Sequence, residues 1–413
     1  MWERTFEYML HRIIRTGSLV VRMPNGQEQF FGDMHARPVR IRIADDKTLR
    51  ALCLNPDLAL GECYMNGQLV VEEDDLRAFL DLVLSNIGKN DKPRLHRFAG
   101  SFRRVYRFLA QYNPAARARN NVQHHYDLSD DLYELFLDTD RQYSCAYFAS
   151  PDATLEEAQE QKKRHIAGKL LLEPGMSVLD IGSGWGGMGL TLAREFDCKV
   201  EGVTLSSSQH RISNLRARDE GLADRVTFSL TDYRDLDAQF DRIVSVGMFE
   251  HVGTPHYRQY FRKLGQLLDV DGVALLHTIG RATPPGSTNQ WVGKYIFPGG
   301  YIPAMSEVLA AIQREGLYVT DVEVLRLHYA ETLRHWYQRF MQNLDRVMEI
   351  YDERFCRMWR FYLLCCEMSF RYGGLSVFQF QITRKIDAVP ITRNYLYPPK
   401  EDREPPSADE SPA

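Results

Sequence analysis

Apolar and polar positions alternate with two different periods along this chain, and the change of period marks its organisation. From about residue 155, helical and strand stretches follow one another. Residues 156–172 read as a helix, Ser177–Ile181 as a strand, 187–196 as a helix and Lys199–Thr204 as a strand. A helix from Ser206, strands Arg225–Leu230 and Asp241–Val246, helix 256–269 and strand Gly272–Thr278 continue the series. Such alternation predicts an α/β fold, a parallel sheet with helices on both faces. Leu317–Leu325 and Ser376–Thr383 read as two last strands, with two long aromatic-rich helices between them over roughly 331–372.

Residues 1–115 read differently. Val39-Arg40-Ile41-Arg42-Ile43 alternates like a strand, and Asp75–Ile87 carries one apolar helical face. This part is expected to be a smaller α+β accessory domain, followed by a catalytic domain over 116–398. The tail 399–413 is charged and Pro-rich and is expected to be disordered. Residues 92–126 lack Asp and Glu but carry Lys92, Arg94, Arg97, Arg103, Arg104, Arg107, Arg117 and Arg119. Phe98, Phe102, Val105, Tyr106 and Leu109 recur there at helical spacing. Two readings stand: a basic amphipathic helix on an anionic membrane, or a linker helix with its basic face in water.

Composition narrows the function. A net charge of −4 over 413 residues gives no reason to expect nucleic acid. No apolar run reaches bilayer length, and the first residues lack a signal core, so a cytoplasmic protein is expected. The seven cysteines form no CxxC pair, which argues against zinc and disulfides, and no metal is expected.

The strongest local motif is Val178-Leu179-Asp180-Ile181-Gly182-Ser183-Gly184-Trp185-Gly186-Gly187, a strand running into a glycine turn and a helix. Gly182, Gly184 and Gly187 match the dinucleotide pattern GxGxxG, a weak signal alone. Gly182, Gly184 and Gly186 after Asp180 match DxGxGxG. Asp180 separates the two, because a carboxylate suits the cationic amino-acid end of S-adenosylmethionine and would repel a pyrophosphate. Glu201, where a ribose-binding acid could sit, falls inside its strand. Further polar groups stand at other strand ends: Thr204, Leu205 and Gln209 after the second strand, Asp232 and Tyr233 after the third, and Ser245–Glu250 after the fourth.

Several segments together resemble the cyclopropane fatty-acid synthases, which include the mycolic-acid cyclopropane synthases. They are His125–Ser129, Tyr143-Ser144-Cys145-Ala146-Tyr147-Phe148, Asp180–Gly187, Gly202–Ser206, Phe249–Gly253, His277–Gly280 and Tyr295–Gly299. Leu60–Met65 is similar to the accessory domain of the longer members. The resemblance implies a class I, Rossmann-like methyltransferase fold with a seven-stranded, mostly parallel sheet. It implies S-adenosylmethionine as donor, held by Tyr143, Ser144, Asp180, Gly182, Gly184, Trp185, Gly186, Thr204, Leu205, Gln209, Asp232 and Tyr233. It also implies a bicarbonate ion held by Glu250, His277 and Tyr329 with backbone groups of Cys145 and Ile279. The substrate would be an unsaturated phospholipid at the inner face of the cell membrane, and the assembly a homodimer.

The chemistry so implied explains the residue types. An isolated alkene has no acidic proton, so positioning and desolvation carry the reaction. Methylation leaves positive charge on the chain, which aromatic faces stabilise by about 2 kcal/mol when dry. Tyr147, Phe148, Phe249, Trp336 and Tyr337 are the candidates. Taken singly, the site residues have plain structural readings: His277 a satisfied core histidine, Glu250 a helix cap, Cys145 simple core. Alternatives are a methyl- or methylene-branched product, amine methylation like that of coclaurine N-methyltransferases, and a non-catalytic lipid-binding protein.

Overall fold

The computed structural model describes residues 1–89 and 129–397. The basic stretch 92–126, His125–Leu128 and the tail 399–413 lie outside the described residues.

The N-terminal elements are α1 (Trp2–Ile13), β1 (Ser18–Arg22), β2 (Glu28–Gly32), β3 (Val39–Ile43), α2 (Asp46–Leu54), α3 (Pro56–Met65), β4 (Leu69–Val71) and α4 (Leu76–Lys89). The strands form a four-stranded mixed sheet in the order β2-β1-β3-β4. Next come α5 (Asp130–Phe136), α6 (Leu155–Leu170), β5 (Ser177–Ile181), α7 (Gly187–Phe196), β6 (Lys199–Val203), α8 (Ser207–Asp219), β7 (Val226–Ser229) and β8 (Phe240–Val246). The chain continues through α9 (Tyr257–Leu267), β9 (Leu268–Arg281), α10 (Gln290–Tyr295), α11 (Met305–Arg314), β10 (Tyr318–Val324), α12 (His328–Gln342), α13 (Leu344–Ile350), α14 (Glu353–Tyr372) and β11 (Leu375–Thr383).

The second sheet has seven strands in the order β10-β11-β9-β8-β5-β6-β7. β11 runs antiparallel to both its neighbours, and the other pairs are parallel. Strands buried on both faces read as near-continuous apolar runs, which is why Val178–Ile181 and Ala274–Leu276 are buried throughout. Helix starts follow side-chain caps. Thr154 and Glu157 close a capping box at α6, Ser206 caps α8 and Asp352 caps α14. The expected pair of aromatic helices over 331–372 is three, because the chain breaks at Asn343 and again at Tyr351, where the backbone is extended. The expected strand Gly272–Thr278 extends at both ends.

One apolar core runs from the N-terminal sheet through α12 and α14 to Tyr143 and Trp185. Several polar contacts fix that junction. Arg77 on α4 donates twice to the buried Glu367 on α14, at 2.9 and 2.7 Å. Glu62 on α3 accepts from Lys294 at 2.6 Å and Tyr295 at 2.7 Å, so the Leu60–Met65 and Tyr295–Gly299 segments meet. No described helix is long and apolar enough to cross a membrane.

Candidate active site

The chain leaves β5 toward β6 on one side and reaches β8 on the other, which opens a crevice beyond the carboxyl ends of β5 and β8. The glycine turn forms its floor. Gly184 has φ +55, and a Cβ there would meet nothing within 4 Å, so the bare backbone faces open space. Gly186 has φ +88, and its added Cβ would lie 2.7 Å from Phe228; it serves close packing under the loop. Trp185 is buried, donates to Asp130 at 3.1 Å and lines the crevice beside Asp180.

Thr204, Leu205 and Gln209 form one wall, with the Thr204 hydroxyl donating to Gln209 Oε1 at 3.0 Å. Asp232 and Tyr233 form the opposite wall. The Asp232 carboxylate is gripped by Arg234, whose Nε and Nη2 lie at 2.9 and 2.5 Å. Asp180, at the last turn of β5, is buried, and its Oδ2 has no partner. Burial pushes its carboxyl up to about 7, against the pull of the Lys162 ammonium. A buried carboxylate with an orphaned oxygen is costly unless a cation reaches it. The crevice therefore suits a ligand with a cationic amino-acid end and a flat aromatic end, as S-adenosylmethionine has.

A second cavity adjoins the first, and Gly247 and His251 line both. It gathers Cys145, Glu250, His277, Ile279 and Tyr329, all five residues named for the ion site, from positions up to 184 residues apart in sequence. Glu250 accepts from the Ile279 N–H at 2.5 Å through Oε1, while Oε2 is buried without a partner. Burial pushes this carboxyl up to about 7, although the Ile279 hydrogen bond opposes it. Gln379 Nε2 lies 3.2 Å from His277 Nδ1. An amide nitrogen only donates, so Nδ1 accepts and the ring proton stands on Nε2. Burial and the nearby Lys162 charge hold this imidazole well below its usual range, hence neutral.

The structure thus brings the predicted site residues to these cavities except Gly186, which lines neither and packs under the loop, and there are further differences in detail. The Ile279 N–H points to Glu250, so it orients that carboxyl. Burial raises the Cys145 thiol, which bonds to Ala146 O at 3.3 Å and is no nucleophile. The aromatic candidates fall elsewhere. Tyr147 stacks between His165 and His328, and Phe249 stacks on Tyr257 in a separate core. Phe297, Tyr301, Tyr362 and Phe370 wall the cavity instead. Lys162 was not anticipated either: a lysine inside a polar helix gives no sequence sign that it is buried. Among the described residues no His, Cys, Asp and Glu cluster could hold a metal ion, and all seven cysteines are unpaired.

Comparison with known proteins bears on this pair of cavities. Residues 114–380 match the family model for mycolic acid cyclopropane synthetase. The chain is 39% identical over 350 residues to the cyclopropane-fatty-acyl-phospholipid synthase of Escherichia coli K12, covering 85% of this chain and 89% of that one. It is 43% identical over 288 residues to a probable fatty acid methyltransferase of Pseudomonas putida, covering 67% and 73%. Among solved structures it is similar to the mycolic acid cyclopropane synthase CmaA1 complexed with SAH and CTAB, at 36% identity and TM-score 0.61, covering 64% of this chain and 97% of that one.

Proposed function

Since the chain belongs to the mycolic acid cyclopropane synthetase family and is an S-adenosylmethionine-dependent methyltransferase, we propose that it converts the cis double bond of an unsaturated phospholipid acyl chain to a cyclopropane ring. The observation that carries this reading is the aromatic cavity that meets the donor crevice at Gly247 and His251 and holds one buried carboxyl with an unpartnered oxygen. When bound, S-adenosylmethionine supplies an electrophilic methyl group, and bicarbonate supplies a base for the proton that this methyl must lose.

The chain's own residues supply the rest. Asp180 binds the cationic end of the donor, and Asp232 and Tyr233 take its adenine. Phe297, Tyr301, Tyr362 and Phe370 line the cavity, where aromatic rings keep water out and can stabilise positive charge on the acyl chain. Glu250, raised to about 7, is partly protonated at neutral pH and can then donate through Oε2 to a small oxyanion. His277 donates to the same ion through Nε2, and the Tyr329 phenol borders it. Two hydrogen-bond donors around an orphaned carboxyl suit bicarbonate better than they suit an amine substrate.

Mass spectrometry of lipids from cells expressing the chain tests the product. A gain of CH2 with one unsaturation equivalent retained, unreactive toward alkene derivatisation, is the expected result. The Pseudomonas relative's description as a fatty acid methyltransferase favours a second reading. In that case the cation loses a proton without closing a ring, and the chain carries a methyl branch or methylene on a double bond that alkene derivatisation still detects. Substrate delivery at a membrane surface is part of the proposal, supported by the charge pattern of residues 92–126. Reversing Arg103, Arg104 and Arg107 should weaken co-sedimentation with anionic liposomes, and unaltered binding would remove that element.

A further inference from the structure

Three lysines of α6 are fully buried: Lys162, Lys163 and Lys169. Lysine is almost never buried in this way unless paired. Lys163 is paired with Asp140 and Glu160, each at 2.6 Å, and Lys169 with Glu323. Lys162 differs, because its Nζ donates to two neutral groups, Gln142 Oε1 at 2.5 Å and Ser144 Oγ at 2.9 Å. A helix that needed only internal salt bridges for stability would not place a cation there.

The bond to Ser144 has a fixed direction. An ammonium has three donors and no lone pair, so Ser144 Oγ accepts and its own proton must go to another acceptor. Ser144 lines the donor crevice and the aromatic cavity alike. Asp180, which lines the same crevice as Ser144, lies in the field of Lys162, and so does His277 in β9, which Lys169 also faces. The other charged or titratable groups facing Lys162 are Asp138, Asp140 and Cys145 from the segment after α5, and Lys163 beside it.

We propose that Lys162 is a positioning residue of the donor crevice: its ammonium turns the Ser144 hydroxyl outward as a donor to the carboxylate end of the methyl donor, and provides the counter-charge for Asp180, which takes the ammonium end. This rests on the reading of that crevice as the donor site. The two ends of the ligand's amino-acid group are then sorted by one buried charge. Burial pulls Lys162 down to about 8, so it is still largely protonated at neutral pH.

The test is S-adenosylhomocysteine binding to the full chain, by titration calorimetry from pH 6 to 8.5. Without the Lys162 charge, Asp180 keeps its proton to higher pH. Lys162→Met should therefore bind about tenfold more weakly at pH 6.5 and recover much of that loss at pH 8.5. A folded Lys162→Met with the wild-type pH profile overturns the proposal, since a purely structural role would not move the profile. If that variant fails to fold, Ser144→Ala decides: weakened binding with an unmoved pH profile supports the proposal, and wild-type affinity overturns it. Asp180→Asn separates the two levels, because wild-type affinity there would instead refute the donor reading of the crevice.

Discussion

The donor crevice and the aromatic cavity beside it each contain one buried carboxyl with an unpartnered oxygen, and burial brings Asp180 and Glu250 alike to about 7. Their surroundings differ. Asp180 lies in the field of the Lys162 ammonium, which favours the ionised form. Glu250 has a backbone N–H on one oxygen and a neutral imidazole across the cavity. With both near 7, the first can ionise beside a fixed cation and meet a cationic ligand, and the second can pass its proton toward an anion. The comparison teaches that burial alone does not assign a carboxyl its role; the nearest fixed charge does.

The largest expected effect comes from neutralising the first of the pair. Asp180→Asn removes the charge proposed to face the donor's ammonium while keeping the shape. Losing a charge-assisted hydrogen bond in a buried site costs about 3 kcal/mol, so S-adenosylhomocysteine should bind about 100-fold more weakly. Calorimetry at pH 7.5 measures it directly. Glu250→Gln should do the opposite: donor affinity stays within about twofold while single-turnover cyclopropanation falls about 30-fold, roughly 2 kcal/mol for one hydrogen bond to an ion. Equal losses of affinity and turnover in Glu250→Gln would merge the two sites into one and end the comparison.

The two regions were not equally legible in the sequence. The crevice is built largely from short runs of neighbours at strand ends, such as Asp180–Gly187 and Gly202–Ser206, and parallel-strand periodicity places those ends without further information. The proposed ion site was legible through the family resemblance, which named five scattered residues that the segment after α5, Phe249–His251, β9 and α12 bring to one cavity. The cavity walls were not legible. Tyr147 and Phe148 follow Cys145 by two and three residues, yet they stack on His328 and His335, and the Phe148 N–H is held by His328 Nδ1 at 2.9 Å. Which side of a segment faces a cavity depends on such a tertiary hydrogen bond, and no local period encodes it. Lys162 was hidden for the same reason, since the α6 sequence reads as a solvated helix.

The smallest expected effect separates the two carboxyls by stability. A carboxyl whose folded value lies above its unfolded one binds more protons when folded, so its contribution is complete below the unfolded value near 4 and disappears as pH rises through about 7. Between pH 5 and pH 8 the wild-type chain therefore loses stability at both positions. Glu250→Gln removes this dependence at its site, and the variant should gain on the order of 1 kcal/mol over wild type at pH 8 relative to pH 5 once water entering the cavity is allowed for. Asp180→Asn should gain at least as much, because its carboxyl rises to about 7 from a lower starting value, 3.8 against 4.5 for Glu250, even with the Lys162 ammonium pulling it down. Denaturant titrations of the two variants and the wild type at both pH values measure the difference. A clearly smaller gain for Asp180→Asn would mean that Lys162 holds Asp180 ionised well below pH 7, and the two carboxyls would then differ in charge as well as in geometry.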